Sequence, residues 1–255
     1  MRCDLHVHTK YSFDSYADMM DYCEYALKLG LNAICFTEHY DCDPNDKDSF
    51  YFQSELYFNN IDWVRNKYDG QLTILSGAEV SEPHLYPKIM ERLNNMPFDM
   101  LMGSIHIWDN YHPARISWPE NSTLEDRYNV YWDQVWYAVQ MGGFNCFAHL
   151  DFPKRHCGEL YFQRADMLDI FSVMINKGIV PEINTSTLRD GKTEPMPGQA
   201  ILEVYSASGG QYVTIGSDAH RVIDLAAKLN DGYLLSDILG LQPVLFQNKK
   251  IKVVK

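Results

Sequence analysis

The sequence predicts an α/β fold, a single domain over residues 1–255 built as an incomplete or distorted (β/α)7 TIM-like barrel. Three observations predict it. A length of 255 residues suits a one-domain barrel. Seven short apolar segments alternate with segments of helical periodicity, as in parallel βαβ units. His, Asp or Glu recurs where the apolar segments end, and a barrel gathers those ends on one rim. An open doubly wound sheet is the alternative fold.

The first predicted strand and the turn after it span residues 4–9. Strand alternation places His6 and His8 side by side on one face, with Leu5 and Val7 buried behind them. Two imidazoles in this position can chelate a transition metal, although the same pair could also be hydrogen-bonded polar residues at a strand end.

The other predicted elements follow in alternation. Six further strands are expected from short apolar runs at 31–37, 72–75, 98–102, 144–148, 179–183 and 212–215. Helices are expected from apolar residues spaced three and four apart at 16–29, 52–68, 84–95, 122–141, 163–176 and 197–208. A short helix near 222–229 and a final apolar stretch complete the chain.

Composition restricts the class of protein. A hydrophobic content of 46% is enough for a continuous core, and a net charge of −12 disfavours binding to long nucleic acids. The six cysteines include no Cys-X-X-Cys pair, which is typical of reduced thiols. With neither a leader-like start nor a membrane-length apolar run, the expected location is the cytoplasm, with no membrane partner.

Nine potential metal ligands lie at or just after the predicted strand ends. They are His6, His8, Asp14, His39, Glu79, His106, His149, Asp218 and His220. Six imidazoles and three carboxylates on one rim would be costly to bury without cations between them. Mixed nitrogen and oxygen ligands suit zinc, manganese or iron, and nine ligands are enough for two or three ions.

Three further residues are candidates for substrate contacts. Lys154 and Arg155 could bind an anionic group or form a solvated basic pair. Ser104, like Ser217, could donate to substrate or satisfy the backbone at a strand end.

The segments that contain these residues resemble those of the PHP family, named for polymerase and histidinol phosphatase. The matching segments run along the chain in the family's order: Asp4-Leu5-His6-Val7-His8-Thr9, Thr37-Glu38-His39, Gly77-Ala78-Glu79, Gly103-Ser104-Ile105-His106, Ala148-His149-Leu150-Asp151 and Gly216-Ser217-Asp218-Ala219-His220. Glu38 departs from the pattern, since Asp is commoner there. The resemblance implies a distorted (β/α)7 barrel with a two- or three-metal centre, most like the stand-alone histidinol-phosphate phosphatases.

The resemblance also implies how the ligands divide among ions. One ion would be held by His6, His8, Glu79 and Asp218. A second would share Glu79 and take His106 and His149. A third would use Asp14, His39 and His220, and Arg155 matches a basic residue that contacts substrate phosphate.

The expected activity is hydrolysis of a phosphate monoester, L-histidinol phosphate, to L-histidinol and phosphate. A hydroxide bridging two metals would attack phosphorus, and Asp218, His220 or a metal-bound water would protonate the leaving group. Glu82 and the aromatic loop around Trp108 are the candidates for contacts with the ammonium and imidazole of this substrate. One alternative is a PHP-type phosphoesterase acting on nucleotides, other small phosphate esters or DNA ends. Another is a non-catalytic metal-binding scaffold. The sequence leaves the oligomeric state open.

Overall fold

The computed structural model describes residues 1–44, 48–49, 51–107 and 121–254. Its strands are β1 Cys3–Val7, β2 Ala33–Tyr40, β3 Thr73–Ser81, β4 Met100–Ser104, β5 Cys146–Phe147, β6 Val180–Asn184, β7 Tyr212–Gly216, β8 Gln242–Gln247 and β9 Lys250–Val253. Its α-helices are α1 Met19–Lys28, α2 Ser54–Lys67, α3 Pro87–Asn94, α4 Leu124–Met141, α5 Lys154–Cys157, α6 Arg164–Lys177, α7 Ser186–Arg189, α8 Gln199–Ala207 and α9 Leu229–Ile238. The loop around Trp108 lies outside the described residues.

The strands pair in chain order and are parallel from β1 to β8. The first and seventh strands meet as well, because Val7 pairs in parallel with Ala219 just after β7. The His8 amide donates to the Ala219 carbonyl at 2.9 Å, and the Ala219 amide donates to the His6 carbonyl at 3.3 Å. These bonds close seven strands into a barrel, which confirms the predicted fold and rules out an open sheet.

The barrel wall has one apolar layer on its outer side and another on its inner side. The outer layer packs the wall against the helices, with Phe36 and Leu101 among its members. The inner layer contains residues from β1 to β6, such as Met102, and continues into Val244 and Phe246 of β8. Since β8 pairs beside the first residues of β7, it closes the amino end of the barrel and leaves the carboxyl end for polar residues.

A bulge in β1 changes the predicted alternation of side chains. Asp4 pairs with Ile34 and Val7 with Phe36, so β1 has one residue more than β2 over this interval. As a result Leu5 lies in the inner layer and Val7 in the outer one. The expectation that these two residues lie together behind the histidines was therefore wrong, whereas His6 and His8 do lie side by side.

The last part of the chain contains more helix and strand than predicted. In place of a helix near 222–229 there is a short 3₁₀ turn, Val222–Asp224, followed by α9. The final apolar stretch forms the hairpin β8–β9, whose antiparallel pairing differs from the rest of the sheet.

The predicted helix at 84–95 is divided into a 3₁₀ turn, Pro83–Leu85, and α3, which begins at Pro87. In the part of the chain that is described, no helix has the length and apolarity needed to cross a bilayer.

Candidate metal centre

The carboxyl ends of the barrel strands bring all nine predicted ligands together. Their nitrogen and oxygen atoms form three groups whose members lie within 4.8 Å of one another: His6, His8 and Asp218; Glu79, His106 and His149; and His8, His39 and His220. Asp14, from the turn after β1, contacts the third group. Parallel strands place these residues on one rim although they lie far apart in the sequence.

Glu79 lies at the middle of the cluster and is almost fully buried. Its Oε1 is 2.7 Å from His149 Nε2 and 3.2 Å from His106 Nε2. Its Oε2 is 3.1 Å from His39 Nδ1 and 3.4 Å from His6 Nε2. Burial by itself raises the pKa of this carboxyl, but the histidines around it, His106 and His6 first, hold the pKa well below its usual range. Glu79 is therefore an ionised carboxylate placed between the groups.

The His6 and His8 rings approach each other next to the Asp218 carboxylate. Their Nε2 atoms are 2.9 Å apart, and Asp218 Oδ1 is 3.7 Å from the first and 3.5 Å from the second. The other oxygen, Asp218 Oδ2, accepts from Arg155 Nη2 at 2.8 Å. Burial raises the pKa of Asp218, and His6, His8 and Arg155 together hold it well below its usual range.

Asp14, His39 and His220 form the outermost part of the cluster. Asp14 Oδ2 lies 3.1 Å from His220 Nε2 and 3.4 Å from His39 Nε2. The hydrogen bonds to these rings outweigh burial and lower the pKa of Asp14. The side chains of Asp14 and His220 are about a third exposed, so this part of the cluster faces solvent.

Hydrogen bonds behind the first two histidines orient both rings for binding a cation. His6 Nδ1 lies 2.7 Å from Glu182 Oε1, a carboxylate oxygen that accepts its proton. His8 Nδ1 lies 3.1 Å from Ser12 Oγ, whose own proton goes to Glu38 Oε2. The protein thus occupies Nδ1 of both rings and leaves the two Nε2 atoms as the nitrogens that would hold an ion. Converging lone pairs beside carboxylates are the donor set of a divalent transition metal.

Three site residues adopt backbone conformations that are unusual outside glycine. Glu82, His149 and Asp218 have φ angles of 44°, 29° and 54°. Such conformations cost on the order of 1–3 kcal/mol each and persist only where surrounding contacts hold them. Asp218 is held by Asp4, whose carboxylate accepts from the amide and hydroxyl of neighbouring Ser217.

The residues predicted to contact substrate differ in their surroundings. Arg155 lies beside the cluster, about a third exposed, and donates to Ser186 Oγ as well as to Asp218. The Lys154 ammonium has partners within the protein, Asp151 Oδ2 at 2.9 Å and the Pro195 carbonyl at 2.8 Å.

The remaining predicted substrate contacts are buried and bonded to the protein. Ser104 Oγ donates to the Val80 carbonyl at 3.3 Å, the backbone role that the sequence left open. Ser217 Oγ donates instead to a side chain, the Asp4 carboxylate, at 2.6 Å. Glu82 Oε1 accepts from the backbone amides of His106 and Ile107 at 2.6 and 2.8 Å. Its carboxylate therefore holds the segment that follows β4.

Two carboxylates behind the cluster, Glu182 and Glu38, were not among the predicted site residues. Glu182 lies in the middle of β6, and Glu38 accepts from Ser12 and from the amide and hydroxyl of Thr9. A signal was present, since a single Glu interrupts the apolar run at 179–183. A charged residue inside a buried strand needs partners there.

Comparisons with known proteins agree with this architecture. A protein of Thermotoga maritima named "Probable histidinol-phosphatase" is 31% identical over 222 residues, which cover 86% of this chain and 84% of that protein. A protein of the same name from Clostridium acetobutylicum is 27% identical over 259 residues and covers 98% of both. The crystal structure of histidinol phosphate phosphatase from Lactococcus lactis, complexed with zinc, L-histidinol and phosphate, matches the fold with a TM-score of 0.87 at 24% identity, over 98% of both chains.

The family model described as "PHP domain" matches residues 4–186, well over half of the chain. The matched segment includes the first seven of the nine clustered residues, from His6 to His149. Family model, sequence relatives and fold all agree, and we conclude that the chain belongs to the PHP family.

Proposed function

We propose that this protein is a metal-dependent phosphatase that hydrolyses L-histidinol phosphate to L-histidinol and phosphate. The observation that carries the proposal is the convergence of nine nitrogen and oxygen donors on one rim of the barrel, next to a partly exposed arginine. The substrate is inferred from the names of the Thermotoga and Clostridium relatives. The whole span, 1–255, would act as one domain, since β1 pairs with β7 and β8 closes the amino end.

The proposed centre holds two or three divalent ions, zinc, manganese or iron. The group Glu79, His106 and His149 matches the second ion that the family resemblance implies. For the first ion, His6, His8 and Asp218 form the group, with Glu79 Oε2 3.4–3.6 Å from the two rings. The third ion would lie between His39, His220 and Asp14. Zinc is the ion to test first, because the Lactococcus structure contains it.

The protein residues around the centre would bind and orient the phosphate. Divalent ions held there would supply Lewis-acid chemistry, lowering the pKa of a water and neutralising negative charge on the phosphoryl oxygens. Arg155 adds a planar cation beside Asp218, and a guanidinium binds phosphate through paired charge-assisted hydrogen bonds. Ser186, which accepts from Arg155 at 2.6 Å, would hold that side chain toward the centre.

The leaving alkoxide of the substrate requires a proton. Asp218 and His220 are the two residues predicted to supply it, and both lie on the rim. His220 is the more exposed, with 28% of its side chain accessible against 6% for Asp218. Its ring is also held through Nδ1, 3.1 Å from the Asp218 carbonyl. Where only the two inner ions are bound, His220 Nε2 can carry the proton, and His220 is the better placed of the two to reach a substrate from solvent.

The experiment that tests the function is phosphate release from L-histidinol phosphate, measured beside nucleotides and sugar phosphates on zinc- or manganese-loaded protein. We expect histidinol phosphate to be preferred by at least about tenfold in kcat/KM, or about 1.4 kcal/mol of transition-state discrimination. A preference for nucleotides would instead make the protein a PHP-type phosphoesterase of another substrate class. Metal binding without turnover of any ester would make it a non-catalytic scaffold.

A further inference from the structure

Glu182 is a fully buried carboxylate behind the metal centre that the proposed reaction does not use. It lies on β6, whose neighbours in the sheet are β5, which His149 follows, and β7, which Asp218 follows. Its Oε1 accepts from His6 Nδ1 at 2.7 Å. Its Oε2 accepts from the backbone amide of His149 at 2.9 Å and from Asn184 Nδ2 at 3.1 Å. One side chain thus contacts a predicted ligand from each of the two inner ligand groups.

These contacts determine which nitrogen of His6 faces the centre. Glu182 Oε1 accepts from Nδ1, so a neutral His6 ring that binds an ion carries its proton on Nδ1. Nε2, which is 2.9 Å from His8 Nε2 and 3.4 Å from Glu79 Oε2, is the nitrogen left to hold the ion. A carboxylate that accepts from the far side of a histidine fixes its tautomer and raises its basicity toward a metal.

The second oxygen of Glu182 acts on the backbone of His149. That residue has a φ of 29°, a conformation that needs support from its surroundings. Its amide donates to Glu182, while its Nε2 lies 2.7 Å from Glu79 Oε1. The hydrogen bond to Glu182 therefore supports the conformation that directs the His149 ring toward Glu79.

The backbone of β7 passes so close to His6 and Glu182 that no side chain fits at position 216. A Cβ atom at position 216 would lie 2.3 Å from the His6 Cβ and 2.6 Å from Glu182 Oε1. Only glycine fits against the pair, so the His6–Glu182 contact is packed on the β7 side by backbone.

We propose that Glu182 is a positioning residue that sets the metal affinity of both inner ion sites, by fixing the tautomer of His6 and the backbone of His149. The inference rests on the proposed metal centre. It predicts that loss of the carboxylate weakens binding of the ions although Glu182 contacts neither of them.

The test compares zinc affinity in metal-stripped wild-type protein and the Glu182→Gln variant, by competition with a chromogenic chelator. The amide keeps the shape of the side chain, but its NH₂ group cannot accept, so either His6 or His149 loses its acceptor, and affinity should fall about 10- to 100-fold. Asp99→Asn is the matched control. Asp99 is also a buried carboxylate, but it bonds Arg65 and Ser76 near the amino end, and its variant should bind zinc like wild type.

A second measurement uses the wild-type protein and so does not depend on the variant's folding. ¹⁵N NMR of the zinc-loaded protein should show the His6 proton on Nδ1 and the metal on Nε2. Wild-type zinc affinity in folded Glu182→Gln, or zinc on Nδ1 of His6, would overturn the inference. Failure of the wild-type protein to bind zinc, manganese or iron would instead overturn the proposed metal centre, so the two failures are distinguishable.

Discussion

The two ends of the barrel are built from different chemistry. At the carboxyl end, charged and imidazole side chains meet in a buried cluster, and Glu82, His149 and Asp218 adopt left-handed backbone conformations there. At the amino end, β8 contributes Val244 and Phe246 to an apolar layer that fills the barrel interior.

The two ends therefore contribute different properties, the amino end stability and the carboxyl end chemistry. Burial of apolar surface at the amino end contributes about 25 cal/mol per Å², while buried polar groups and unusual dihedrals at the carboxyl end oppose folding. We therefore expect substitutions at the amino end to change the free energy of unfolding, and most substitutions at the carboxyl end to change metal binding and turnover.

The largest effect is expected for His8→Ala at the carboxyl end. His8 belongs to two of the three ligand groups, so its loss should remove bound metal and lower kcat/KM by at least about 10³-fold, or about 4 kcal/mol. Metal analysis and phosphate release measure the two effects. His84→Ala is the control, because His84 bonds Gln134 outside the cluster. Full metal content and activity in His8→Ala would show that the pair on β1 is structural.

Phe246→Ala should give the largest effect at the amino end. The ring is 2% exposed and fills the barrel interior, so its removal should lower the free energy of unfolding by about 3–5 kcal/mol. Urea denaturation measures this, with Ile238→Ala, an exposed position on α9, as the control. In folded protein at low temperature, KM should stay at the wild-type value. A changed KM together with an unchanged free energy of unfolding would show that the amino end does not act mainly on stability.

Glu82→Gln tests whether the carboxyl end opposes folding. Burial raises the pKa of Glu82 from its usual 4.5 to about 7. Because the folded protein holds the proton more tightly, this group's contribution to stability is present below pH 4.5 and is lost as the pH rises through about 7. The loss is of the order of 3 kcal/mol. Urea denaturation of metal-free protein at several pH values should show a flatter profile for Glu82→Gln, and parallel profiles would contradict this account.

Arg155→Ala should have the smallest effect of the four. Removing a charge-assisted contact to phosphate costs about 1.5–3 kcal/mol, so KM for the phosphate ester should rise about 10- to 100-fold. Metal content should not change, since Asp218 directs its other oxygen at the histidines. Arg221→Ala, an exposed arginine paired with Asp224, is the control. An unaltered KM in Arg155→Ala would exclude it from phosphate binding.

The architecture and the membership of the cluster could be predicted from the amino-acid sequence alone. Alternating apolar and helical segments predict parallel strands, and parallel strands place their carboxyl ends together. His6, His39 and Glu79 could therefore be assigned to one rim without coordinates, because strand ends are local features of the sequence. The same local pattern could not separate the ligand groups, since that depends on distances across the barrel.

The contacts behind the ligands, in contrast, depend on how distant segments pack together. The bulge in β1, which places Leu5 and His6 on the same side of the wall, depends on pairing with β2 and is invisible in the alternation of β1 alone. The bond from His6 to Glu182 joins residues 176 apart in the sequence, and the space for it depends on Gly216 of a third strand. Such contacts arise only when the barrel closes, because closure brings β1, β6 and β7 together.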